Sequence, residues 1–397
     1  MLTRESVLQL SAEVFERVKS YRRHLHANPE LSFKEYNTSA FICSVLEQEG
    51  IPFQTGFAGT GITALIGENA GPVIALRADM DALPIIELND VEYKSKNEGI
   101  MHACGHDVHS ASLLGAALVL NRLKKDLPGK VKLVFQPGEE VLPGGASLML
   151  KEGALNNPWP GAIFGQHVHP EIKAGEVGFC PGPYMASTDE IYVTVKGKGG
   201  HAALPHRVID PVLISAHLIV ALQQIVSRSA NPIIPSVLSF GKVQANGATN
   251  IIPDEVKMEG TFRTFNEDWR AEAHIRMKAL AEQLAISMGG SCDFVIERGY
   301  PFLVNHETLT LKARKFAQEL LGETAVIDLP QRMTAEDFAY YSQVMPACFY
   351  RLGTSSANGN YTAGLHNARF NIDESALLTG TSLMSWLAIR WMQEPEL

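Results

Sequence analysis

The stretch MHACGHDVHSAS, residues 101–112, places His102, Cys104, His106 and His109 within eight residues, with Asp107 among them. Imidazole nitrogen and thiolate sulfur are the side-chain donors that divalent transition metals hold best. On these residues alone three readings stay open: a metal site, a nucleophilic cysteine with a histidine base, and the polar start of a helix. Further candidates stand elsewhere: Asp79 and Asp81 in RADMDALP, the adjacent Glu139 and Glu140 in FQPGEE, His167 and His169 in FGQHVHP, and His366 in LHN. A centre that gathered Cys104, His106, one of the glutamates, His167 and His366 would have five protein donors. That exceeds what one tetrahedral zinc needs while keeping an open catalytic position. Two metals sharing a bridging donor would use all of them, and the second glutamate could then take a proton from the attacking water.

Such donors have to be delivered by elements of structure. Four short apolar runs lead into them: PVIALRADMDALP (72–84), KVKLVFQPGEE (130–140), GAIFGQHVHP (161–170) and ACFYRLG (347–353), the last through a Gly/Ser/Asn-rich loop to Leu365-His366-Asn367. Apolar runs of this length between turn residues predict buried strands of an α/β sheet with helices on both faces. The helical patterns over 110–125 and 306–322 would supply covering layers. In open α/β sheets, ligands sit beyond the carboxyl ends of strands, and the candidate residues fall at such ends four times. Cys104 and His106 are expected on an irregular loop before a helix starting at Ser110. Glu139 and Glu140 would point to opposite faces of a regular strand, and past Pro137-Gly138 they are expected to converge with different roles.

Residues 186–295 follow another rhythm. The order β-α-β-β-α-β predicts a ferredoxin-like α+β domain inserted into the larger one. Its hinges are expected at CPGPYM (180–185) and RGYPF (298–302). The outer domain is then discontinuous, 1–185 and 296–397, around an insert at 186–295.

Composition narrows the function classes. The chain has 397 residues, 46% hydrophobic and 19% charged, with a formal net charge of −9 and no long block of one sign. Nucleic acid is excluded as an expected partner, because phosphate binding needs clustered Lys and Arg. The N-terminal segment reads as an amphipathic helix rather than a signal peptide. The longest apolar run, near ASLLGAALVL, falls short of a bilayer span, so no membrane association is expected. Five cysteines without a disulfide rhythm point to a reducing cytoplasm. Cys43, Cys180, Cys292 and Cys348 are read as small buried hydrophobes. A lone histidine at a strand end is ordinarily a hydrogen-bonded core or surface residue, and EE pairs are common on surfaces. The combination at one end of one sheet favours a metal hydrolase, leaving open a Cys104/His106 nucleophile and a structural metal or binding module.

In this order MHACGHDVHSASLLGAA, FQPGEE, FGQHVHP, GKGGHAALPH, TNIIPDEVKMEGTFRTF, EDFAYY and LHNARFNIDE, with RRHLHANPELSFKE (22–35) and LRADMDALPI (76–85), resemble the di-metal amidohydrolases of the aminoacylase and carboxypeptidase group. The likeness is to the branch of hippurate hydrolases, indole-acetyl-amino-acid hydrolases and N-acetyldiaminopimelate deacetylases, and it covers nearly the full length. It implies a three-layer zinc-peptidase-like catalytic domain with an inserted ferredoxin-like lid and dimerisation domain. It implies cleavage of N-acyl amino acids, or, as the alternative, carboxypeptidase action on dipeptides or short peptides at the same site. Position by position it implies Cys104, His106, Glu140, His167 and His366 as ligands of two divalent ions, Zn²⁺ first and Ni²⁺, Co²⁺ or Mn²⁺ otherwise, with Cys104 between them. Glu139 becomes the general base, Asp81 an outer carboxylate orienting a ligand, and His201 a lid histidine polarising the substrate carbonyl, in relatives often from a partner subunit. Asn250 and Arg263 match lid positions near the substrate. His24, His26, His102, His109 and His169 receive no ligand role, and a homodimer through the insert is expected. One departure is visible: Ala368 follows LHN where the family usually has proline.

Overall fold

A computed structural model describes residues 2–356 and 363–396. Most of the Gly/Ser/Asn-rich loop before Leu365 (357–362) lies outside the described residues. Contacts divide the chain into two compact units, Met1–Tyr184 with Val304–Gln331 and Asp337–Leu397, and Met185–Leu303 with Arg332–Glu336.

The first unit is built on an eight-stranded sheet. From edge to edge its strands are Phe53–Phe57, Gly61–Ile66, Lys130–Gln136, Val73–Asp79, Ala162–Lys173, Ala347–Ser355, Val177–Phe179 and Val326–Asp328. The middle four are the apolar runs of the sequence, mutually parallel. In Val73–Asp79 and Lys130–Gln136 every residue after the first is buried, as a parallel sheet covered on both faces requires. Helices Arg4–Ala27, His106–Arg122 and Ala376–Gln393 pack together against this sheet. The middle helix is buried from His106 to Leu120 without a polar face.

Two details differ from the sequence expectation, and both affect the site. The helix begins at His106, four residues before Ser110, so His106 is helical and only Cys104 lies on the preceding loop. Gly105 permits this start, with φ at 83° and a would-be Cβ 2.5 Å from the Val168 side chain; only glycine takes both the left-handed backbone and the close approach. The strand Ala162–Lys173 also continues past His167 and His169, because its pairing with Ala347–Ser355 extends through His169 opposite Gly353. His167 is therefore held inside a ladder rather than on a loop.

The second unit contains the strands Asp189–Lys196, Ser236–Ala245, Glu255–Thr264 and Ser291–Arg298, with helices Pro211–Gln224 and Glu267–Ser287 between them. The sheet is antiparallel, in the order Ser236–Ala245, Glu255–Thr264, Asp189–Lys196, Ser291–Arg298. Val256, Met258 and Phe262 alternate into a core shared with Ile214, Leu218, Leu222, Ala273 and Met277. The helical stretch Pro211–Ser229 is long and apolar enough to cross a membrane, but Ile214, Leu218, Leu222 and Ile225 are spent in this core.

Candidate metal centre

The FQPGEE turn is fixed from both ends by buried carboxylates. Glu35 Oε1 accepts the Gly138 N–H at 2.9 Å, while its Oε2 accepts the Thr60 hydroxyl. Phe33 packs so closely that a Cβ on Gly138 would lie 2.4 Å from its ring. At the other end, Asp81 Oδ2 accepts the Glu140 N–H at 2.9 Å and the Ser32 hydroxyl at 2.6 Å. The other oxygen of Asp81 is 3.1 Å from His106 Nδ1. One buried aspartate thus sets both the turn carrying the glutamates and the ring of the first helical residue.

These constraints bring the sequence candidates together. Donor atoms of Cys104, His106 and His167 lie within 4.8 Å of one another, and so do those of Cys104, Glu140 and His366. The two sets share Cys104. A third set of the same tightness joins His106, Glu139 and Glu140. His167 donates from Nδ1 to the Val168 carbonyl at 2.8 Å, which leaves its Nε2 lone pair facing Cys104 Sγ at 3.5 Å. His106 is turned by Asp81 in the same sense: its Nε2 is buried without a hydrogen-bond partner, 3.9 Å from Glu140 Oε1. That oxygen is 3.4 Å from His366 Nε2. His366 itself is held in the left-handed region, φ 59°, by its N–H to the Ala103 carbonyl at 2.9 Å. Imidazole nitrogens converging on a thiol and a carboxylate form a donor set that fits divalent cations, whose binding releases the protons these groups hold.

The electrostatics point the same way. Burial opposes a charged His106, yet Asp79, Asp81 and Glu140 outweigh it and lift the ring to about 10. Burial pushes the Cys104 thiol well up, and Glu140, Glu139 and Asp79 push it further. A nucleophilic cysteine needs the opposite, a depressed pKa beside cationic groups. This anionic pocket makes Cys104 a poor free nucleophile and a good ligand once positive charge arrives.

Of the remaining histidines of these motifs all but His102, whose two buried ring nitrogens have no hydrogen-bond partner among the described residues, are engaged elsewhere. His109 accepts the Val168 N–H at Nε2 and faces Asp79 through Nδ1, so both nitrogens are occupied. Burial holds its ring below the ordinary value. His102 is buried and neutral, pushed down to about 4 by burial. His26 lies between Asp107 (2.8 Å) and Glu87 (3.2 Å), with Arg22 also bonded to Asp107. The RRHLH motif thereby braces the helix that begins at His106. His24 stacks on Phe41, and His169 Nδ1 accepts the Glu171 N–H. Sequence reasoning names Asp79 as a candidate without a role, treats His109 as a neighbour shaping the loop, and passes over Glu35. The available signal was a pair of charged residues, Arg77 and Asp79, two apart inside an otherwise apolar strand.

His201, Asn250 and Arg263 belong to the second unit. His201 is exposed on a short ribbon opposite Ile251, and Ala202 N–H donates to the Asn250 carbonyl, so these two are neighbours. Arg263 lies on the sheet face of Lys257, Glu259 and Thr261, half-buried, with Nη1 3.5 Å from the Met333 carbonyl. It is not joined to the other two.

The chain is similar to several known proteins. N-acetyl-L-cysteine deacetylase of Bacillus subtilis (strain 168) is 42% identical over 376 residues, covering 94% of this chain and 88% of the relative. IAA-amino acid hydrolase ILR1-like 4 of Arabidopsis thaliana is 37% identical over 386 residues, covering 96% and 87%. The crystal structure of the Bacillus subtilis YXEP protein, described as a dinuclear metal binding peptidase from the M20 family, superposes with a TM-score of 0.82 at 36% identity, covering 96% and 99%. The model of peptidase family M20/M25/M40 matches residues 75–390, and the chain belongs to that family.

Proposed function

We propose that the chain is a metal-dependent amidohydrolase that cleaves the amide bond of N-acyl amino acids. The observation carrying this reading is the thiol shared by two donor sets, Cys104-His106-His167 and Cys104-Glu140-His366, with Glu139 beside them. The relatives' names, a deacetylase of N-acetyl-cysteine and a hydrolase of an amino-acid conjugate, support the substrate class. These residues would hold two divalent cations; the thiolate and imidazole donors favour Zn²⁺, with Ni²⁺, Co²⁺ or Mn²⁺ as alternatives. When bound, such ions supply Lewis acidity and lower the pKa of water from about 16 to about 7.

The residues divide the work. Glu139 takes the proton from the attacking water and returns it to the leaving amine. Asp81 fixes the His106 tautomer and the turn that carries both glutamates. The second unit acts as the lid: His201 donates to the developing oxyanion, and Arg263 receives the free carboxylate of the substrate, with Asn250, which lies beside His201 beyond the opposite end of the strand Glu255–Thr264, reaching it from a partner chain. It also pairs two chains into a homodimer, a role supported by its edge strand Ser236–Ala245, where Val237 and Val243 are exposed. All five cysteines are free thiols, which supports a cytoplasmic location.

The test is an assay of N-acetyl and N-benzoyl amino acids against dipeptides, before and after chelation and after adding back single metals. Activity should vanish with the metal, return with it, and favour N-acyl amino acids. Full turnover by metal-free protein, blocked only by thiol alkylation, would restore the nucleophilic-cysteine reading. A preference for dipeptides would make the chain a carboxypeptidase.

A further inference from the structure

The EDFAYY motif is not used by the proposed chemistry, yet its aspartate lies at the centre of a buried polar cluster directly behind Glu139. Asp337 is fully buried, as are Arg77 and Gln136. Its Oδ1 accepts from Arg77 Nη2 at 2.8 Å, and its Oδ2 accepts from the Ala146 N–H at 2.9 Å. Gln136 Nε2 lies 2.8 Å from both oxygens, while Gln136 Oε1 accepts from Arg77 Nε at 2.9 Å. Arg77 also reaches Asp79 Oδ2 at 2.6 Å, and Asp79 faces His109. The carboxylate is therefore clamped by the strand before Asp79, the strand before the PGEE turn, and the helix after it. The same residue turns its backbone toward the site: the Asp337 N–H points at Glu139 Oε1, 3.4 Å away.

We propose that Asp337 is a positioning residue for Glu139, its clamped side chain fixing the backbone N–H that orients the glutamate. The inference rests on Glu139 being the general base. Burying a carboxylate and a guanidinium is costly, and hydrophobic replacements of such clusters are often as stable. A network tying segments 201 and 260 residues apart to one aspartate therefore calls for a use. Orientation provides one. A base must sit within about 2.6–3.2 Å of the proton it removes, and a displacement of about 1 Å can cost about 100-fold in rate.

The test is a double-mutant cycle between Asp337→Asn and Glu139→Gln, reading kcat, KM and metal content in each. Alone, Asp337→Asn should lower kcat about 10–100-fold, with KM and metal content unchanged. In the Glu139→Gln background it should cost nothing more, since the group it positions is no longer a base. Gln136→Met, which loosens the same clamp without removing charge, should show a smaller loss of the same kind and decides the matter if Asp337→Asn does not fold. Equal losses in both backgrounds, a parallel fall in metal content, or unchanged kcat would overturn the proposal. Full activity of Glu139→Gln alone would overturn the general-base reading instead, whatever Asp337 does.

Discussion

The two units hold most of their candidate residues in opposite environments, His366 of the first being exposed. In the first, Asp81, His106, Cys104, Glu139 and His167 are buried and tied to one another by hydrogen bonds and close donor contacts. In the second, His201 and Asn250 are exposed, and Arg263 makes one long contact to a carbonyl. The first arrangement is over-determined: each donor is oriented by a partner, so removing one disturbs several. The second leaves His201 and Asn250 open to solvent, which suits groups that engage only when substrate is bound. Substitutions of the proposed metal donors and of Asp81 in the first unit should therefore change metal content and turnover together, those of Glu139 and its support turnover alone, whereas those in the second should change substrate affinity and leave the metal in place.

The largest effect is expected at the shared donor. Cys104→Ala removes an atom from both sets and should lower activity about 1,000-fold or more, the rate equivalent of losing several kcal/mol of Lewis-acid stabilisation. Metal analysis should find fewer than two ions per chain. A fully loaded, active Cys104→Ala protein would show that the cysteine bridges nothing.

Arg263→Ala probes the other side of the contrast. Charge-assisted hydrogen bonds contribute about 1.5–3 kcal/mol, so kcat/KM on free N-acyl amino acids should fall about 10–150-fold. Metal content should not change, and on substrates with an amidated carboxyl the loss should nearly vanish. Equal losses on acid and amide would assign Arg263 to the architecture of its unit.

Asp81→Asn comes next, because an outer partner of a metal-bound histidine typically controls about 10–100-fold in affinity or activity. Titration with a competing chelator should register weaker metal retention, and unchanged retention would remove Asp81 from the ligand-orienting role.

The smallest effect is one of stability in the second unit. Burial pushes the Asp189 carboxyl up, but His274 and Arg270 outweigh it and hold it below the ordinary carboxylate value. A depressed carboxylate contributes stability that is present above its unfolded pKa of about 3.9 and lost as pH falls through the lower folded value. Resistance to denaturant should thus decline with acidification below about pH 4, and Asp189→Asn should flatten that decline. The same slope in both proteins would mean that other carboxylates carry it.

Much of this arrangement could be read from sequence, for identifiable reasons. The four parallel strands announced themselves because buried strands need continuous apolar runs, and chemistry-bearing residues follow three of them closely. The β-α-β-β-α-β order of the second unit was visible in alternations such as Val256, Met258 and Phe262 against Lys257, Glu259 and Arg263. The start of the helix at His106 was not visible, because it depends on Gly105 fitting against Val168, a contact made in the tertiary structure. Nor were the clamps on the turn that carries Glu139 and Glu140. Glu35 and Gly138, or Arg77 and Asp337, are 103 and 260 residues apart, and no local pattern marks which buried charge will meet which.

The most direct test of the central claim is metal analysis alongside turnover for Glu139→Gln. If Glu139 moves the proton while Cys104, His106, Glu140, His167 and His366 hold the ions, the variant should keep two divalent ions per chain, bind substrate with little change in KM, and lose most of kcat. A variant that keeps its turnover, or one whose site has emptied, would contradict that division of labour; the second outcome would make Glu139 a ligand and exchange its role with that of Glu140.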